Sequence, residues 1–67
     1  MSKGKVKYFN DTKGWGFIAS DETDQDVYVH HTSINMDGYK TLREGQEVLY
    51  ELAAEGQGFK AKNVTPQ

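Results

Sequence analysis

The chain has 67 residues, no Cys, one Pro and a formal net charge of −2. That length allows one domain, placed at 1–67, with a small core and roughly 3–5 kcal/mol of spare stability. Without Cys there is no disulfide frame, thiolate metal site or thiol nucleophile. No apolar run approaches the ~18 residues of a membrane span, and no secretion signal opens the chain, so a soluble cytoplasmic protein is expected.

Period-two alternation recurs along the chain between Gly and Asp/Asn clusters, whereas no stretch keeps apolar residues at helical spacing. The first strand is predicted over 3–10 and carries Lys3, Lys5 and Lys7. Asn10–Gly14 turns into a second strand over 15–20. The acidic loop 21–25 leads to a third strand over 26–31. A longer connection, 32–45, holds Ser33 as a cap for one helical turn and the turn signals Asp37-Gly38 and Glu44-Gly45. Val48, Tyr50 and Leu52 alternate with Glu47 and Glu51 in a fourth strand over 46–53, and Gly56-Gln57-Gly58 turns into a fifth over 59–65. Every acid except Asp11 falls within 19–55, so the acidic total hides two basic ends. Five short antiparallel strands predict a small closed all-β barrel, because closure removes the edges that a short flat sheet leaves open.

Alternation also sorts the rings. Trp15, Phe17 and Ala19 share one face of the second strand, and Gly14, Gly16 and Ile18 share the other. Tyr28 and His30 oppose Val27, Val29 and His31 on the third. The β-branched face makes the core, which leaves Trp15, Phe17, Tyr28 and His30 side by side in solvent, with Lys5, Lys7 and Lys13 on or beside the same sheet. Tyr8 joins them unless a bulge near Phe9 changes which ring faces out. Gly14 and Gly16 bracket Trp15 and signal a bend or a close backbone approach. Burying the rings instead would expose Ile18, Val27 and Val29. Open rings flanked by lysines suit single-stranded nucleic acid, whose bases stack at roughly 1–3 kcal/mol each.

Lys13-Gly14-Trp15-Gly16-Phe17-Ile18 and Val27-Tyr28-Val29-His30-His31 resemble the two ribonucleoprotein motifs of the cold-shock domain. Gly4 to Asn10, Gly38 to Leu42, Glu44-Gly45-Gln46 and Asn63-Val64 fit the same family, so the resemblance covers essentially the whole chain. It implies a five-stranded barrel of the oligonucleotide/oligosaccharide-binding (OB) type. It also implies a monomer that binds single-stranded RNA and DNA, with pyrimidine-rich segments preferred. RNA chaperoning, transcription antitermination and translation regulation are the family's roles. By motif, Tyr8, Trp15, Phe17, Tyr28, His30, His31 and Tyr39 stack bases, Lys7 and Lys13 neutralise the backbone, and Phe9 lies on or beside that surface. Asn10 and Asp24 or Asp26 hydrogen-bond base edges.

The departures are specific. Tyr8 stands where the family usually has Trp, Trp15 and Tyr28 where it has other rings, and His31 where it has Phe. Histidine still stacks, and gains charge in mildly acid solution. Phe59 replaces a frequent Pro, and Lys60 and Lys62 replace neutral residues, which extends the platform at the fifth strand. These exchanges bear on base preference rather than on the fold.

Weaker signals point elsewhere. His30-His31 suggests a metal site, but adjacent strand residues face opposite ways and a third ligand is missing. Asp21–Asp26 lacks the Gly and Glu of a calcium loop. No acid, base and nucleophile converge, so neither an enzyme nor a cofactor is expected. The alternative is an SH3-like barrel gripping an extended peptide, although such grooves are usually flanked by acids rather than lysines.

Overall fold

A computed structural model describes residues 1–67. It contains β1 (Ser2–Asn10), β2 (Trp15–Ser20), β3 (Asp26–His30), a single 3-10 turn (His31–Ser33), β4 (Glu47–Glu55) and β5 (Gly58–Pro66). The strands close into a barrel in the order β1-β2-β3-β5-β4. Four seams are antiparallel, as expected, but β3 and β5 run parallel. An odd ring forces this, since directions cannot alternate all the way round five strands. The parallel seam is short, pairing only Val27 with Phe59 and Tyr28 with Lys60. The connection from β3 to β4 has to be long to allow it.

The β4–β5 hairpin zips further than its alternation suggests. Glu55 pairs with Gly58 across Gly56-Gln57, and Gly56 has φ of 61°. Positive φ at the first central residue suits a two-residue hairpin turn and draws both strands to the tip. The helical turn falls where one was expected, but Ser33 is its last residue. The cap is His30, whose side chain accepts from the Thr32 N–H.

Two bulges re-phase the alternation. Register shifts between Val6 and Tyr8, so Lys7 and Tyr8 both face outward and Phe9 turns in. Lys62 and Asn63 likewise both face outward, with Asn63 at φ 51° and its amide bonded to the Glu51 carboxylate, and Val64 turns in. Asn is among the residues that tolerate this left-handed backbone.

Inward residues of every strand, joined by Ile34 and Leu42 from the connection, form one core. Tyr50 is the largest side chain fully enclosed in it, and its hydroxyl has no hydrogen-bond partner. Burial raises its pKa above the ordinary tyrosine value, opposed by the Ser20 side chain and reinforced by Glu22 and Asp21. Tyr50→Phe is therefore expected to leave stability unchanged or raise it by about 1 kcal/mol, because it removes a buried hydroxyl that forms no hydrogen bond of normal geometry, the nearby Ser20 side chain included. A second effect follows from the raised pKa. The folded chain keeps the phenol proton that the unfolded chain releases near pH 10, so stability falls as pH rises beyond that point. Urea unfolding of both proteins between pH 7 and 11 checks both statements, and the alkaline loss should shrink in the variant. No helix of the chain is long and apolar enough to cross a membrane.

Candidate nucleic-acid interface

The strand registers lay out the outer face as a grid. Tyr8 lies opposite Phe17, Phe17 opposite Tyr28, and Tyr28 beside Lys60, which makes one row across four strands. Asn10, Trp15 and His30 form the next row, and Lys5, Ala19 and Asp26 the one on the other side. Trp15, Phe17, Tyr28 and His30 are half-buried on the outer face, as the period-two reading of the rings predicts, and Tyr8, 43% exposed, joins them through the bulge that follows Val6.

The rings hold one another. Tyr8 and Trp15 lie 6.0 Å apart, Trp15 and Phe17 5.8 Å, and Phe17 and Tyr28 6.0 Å, each pair edge to face. Such pairs contribute about 0.5–1.5 kcal/mol each beyond simple burial. The platform is thus set before a ligand arrives, which lowers the ordering cost of binding.

Both glycines beside Trp15 have the roles their position suggests. Gly14 has φ of 75°, and a Cβ there would strike the His31 ring at 2.5 Å. Its carbonyl accepts from the His31 N–H. Gly16 lets β1 approach so closely that a Cβ would sit 2.1 Å from the Tyr8 carbonyl oxygen and 2.7 Å from the Phe9 Cα.

His31 corrects one expectation. Strand alternation would send it away from His30, but β3 ends at His30 and the 3-10 turn brings the two rings to 4.4 Å on one side. His30 Nδ1 is bonded to Thr32, which leaves its Nε2 to act as donor when the ring is neutral. No group of three or more His, Cys, Asp or Glu is assembled anywhere in the chain, so the pair stands without a third ligand.

Phe9 is the second correction. The bulge before it turns its ring into the core, where it is 9% exposed and packs against Gly16. It supports the platform from below and is not one of its open rings. Asn10 spends its side-chain oxygen on the Lys13 N–H, bracing the β1–β2 turn. Asp24 stays exposed in its loop, while Asp26 pairs with Lys7 at 3.2 Å. Lys7 is therefore already engaged, whereas Lys5, Lys13 and Lys60 have no carboxylate partner.

Beyond His31, Tyr39 is 68% exposed, with its hydroxyl donating to the Asp11 carbonyl, and Thr41 donates to the Asp11 carboxylate. These bonds pin the β3–β4 connection against the β1–β2 turn. Lys13, His31, Tyr39 and Lys40 line the recess of about 330 Å³ between them. At the opposite end Phe59 is half-buried and shares a depression of about 380 Å³ with Phe17, Tyr28, Lys60, Asp26 and Glu55. Asp11, Lys40 and Glu55 are contributors that alternation does not reveal. Two of them come from turns or the long connection, and Glu55 joins only through the β4–β5 pairing.

The family model described as the 'Cold-shock' DNA-binding domain matches residues 2–67. The cold shock-like protein CspA of Stigmatella aurantiaca is 52% identical over 64 residues, covering 96% of this chain and 94% of that protein. The cold shock protein CspD of Bacillus subtilis is 53% identical over 64 residues, 96% of each chain. Cold shock protein 1 of Lactiplantibacillus plantarum is 48% identical over 67 residues, the whole of both.

Proposed function

The chain belongs to the cold-shock DNA-binding domain family, and from that membership and its open rings we propose that it binds single-stranded RNA and DNA by base stacking. The observation that carries this reading is the grid of Tyr8, Trp15, Phe17, Tyr28 and His30, flanked by Lys13 and Lys60. A duplex hides its base faces, and an unpaired strand offers them. Pyrimidine-rich segments are the preferred ligands. His31 and Tyr39 continue the stacking surface at one end, and Phe59 and Lys60 extend it at the other.

The chain acts as an RNA chaperone without doing chemistry. Each base held on a ring lowers the free energy of the open strand, so weak helices shift toward melting by mass action. No nucleotide hydrolysis or cofactor is required. The protein works as a monomer in the cytoplasm, and effects on transcription termination or translation follow from which hairpins it keeps open.

Trp15 is the only tryptophan, so its fluorescence reports the platform directly. Titration with a short oligo-thymidine should quench it, and the matching duplex should not. The salt slope should be shallow, about −0.7 for each phosphate neutralised. A slope as steep as that of a polybasic arm would sink the stacking account. No quenching, together with capture of extended peptides, would replace it with the peptide-binding reading.

A further inference from the structure

We propose that the depression at the tip of the β4–β5 hairpin is a guanine-selective subsite, an inference that rests on the single-strand reading above. Phe17, Tyr28 and Phe59 line it with rings, and Lys60, Asp26 and Glu55 supply its charged groups. Phe17 and Tyr28 offer any base a stacking surface, with Phe59, which pairs with Val27 and packs against the core, at its edge, and stacking alone is tolerant of sequence. The charged groups discriminate.

The registers place them. Tyr28 lies beside Lys60, Lys60 lies opposite Ala53, and Glu55 is two residues beyond Ala53 on β4. Partners in a register and residues two apart share a face, so Tyr28, Lys60 and Glu55 all project from the platform side. The one ion pair of the chain joins Lys7 to Asp26, which leaves Glu55 and Lys60 without ionic partners. A free carboxylate and a free ammonium therefore stand beside the same group of rings.

Guanine matches that set. Its N1–H and N2–H₂ are adjacent donors for the two oxygens of Glu55, and its O6 accepts from Lys60. Thymine and uracil present one N–H between two carbonyls, and cytosine and adenine present one amino group. Each of those engages a single carboxylate oxygen. Guanine alone uses both oxygens and the ammonium together.

The test uses seven-nucleotide oligo-thymidines carrying one guanine at each position in turn, read by Trp15 fluorescence. One position should tighten binding roughly tenfold over plain oligo-thymidine. Glu55→Gln keeps one acceptor and removes the charge, and should erase most of that gain, while weakening plain oligo-thymidine, which uses only one carboxylate oxygen, by a clearly smaller factor. Glu55 is exposed, so the variant should keep the barrel, which circular dichroism verifies. Glu55→Ala provides the same comparison with no acceptor left. If no position gains, or if the gain survives both substitutions, the subsite is refuted and the single-strand reading stands. If plain oligo-thymidine fails to bind at all, that reading falls and takes the subsite with it.

Discussion

Alanine at Gly16 is expected to leave little folded protein. The added methyl would sit 2.1 Å from the Tyr8 carbonyl oxygen, 2.7 Å from the Phe9 Cα and 2.8 Å from the Phe9 ring. Two of these three atoms are backbone, so no rotamer change relieves the contact. Relief requires β1 and β2 to separate at the bulge that turns Tyr8 out and Phe9 in. Overpacking of this kind costs about 3 kcal/mol or more, against a total of roughly 3–5 kcal/mol for a domain this small. Urea unfolding followed by circular dichroism should show a midpoint near zero denaturant. A variant within about 1 kcal/mol of the parent would mean that the two strands can part at this point without penalty. Gly38→Ala is the informative contrast. That glycine also has positive φ, at 77°, but nothing lies within 4 Å of its missing Cβ. It should therefore show only the smaller cost of the backbone conformation, about 1 kcal/mol.

Phe17→Ala is expected to do the reverse, sparing the fold and removing binding. Its ring stands between Trp15 at 5.8 Å and Tyr28 at 6.0 Å, and it also borders the depression at the hairpin tip. Losing it takes away one stacking surface and unseats two neighbours that it holds edge to face. Single-strand affinity should fall by about 1–3 kcal/mol, roughly fivefold to 150-fold. The lost ring pairs should lower stability by about 1 kcal/mol, because Phe17 lies outside the buried core. Fluorescence titration and urea unfolding of the same preparation separate the two effects. An unfolded variant would show that the ring supports the barrel. A folded variant with undiminished affinity would move the binding surface off this face. Val29 lies beneath the same sheet and is fully buried, so truncating it should give the opposite profile.

The platform was legible because a strand reports its two faces in every second residue. Ile18, Val27 and Val29 marked the inside, so Trp15, Phe17, Tyr28 and His30 had to lie outside, and they do. That rule fails wherever the period slips. It misplaced His31, which follows the end of β3, and the resemblance placed Phe9 on a surface from which the Val6/Tyr8 bulge removes it. The sequence reading has Tyr8 join the rings unless a bulge near Phe9 displaces it, whereas the bulge after Val6 is what turns Tyr8 out. Bulge position depends on which residues β2 pairs with, and that partner is distant along the chain.

Local alternation, turn residues and composition were therefore enough to determine an all-β barrel, the five strands and the ring-bearing face. Each of these depends on neighbours within a few residues. Tertiary structure alone decided the parallel β3–β5 seam, the Lys7–Asp26 ion pair, the clamp of Tyr39 and Thr41 on Asp11, and the meeting of Glu55, Phe59 and Lys60 beside Phe17 and Tyr28. Those features join segments that touch only once the barrel closes, and closure is a property of all five strands together.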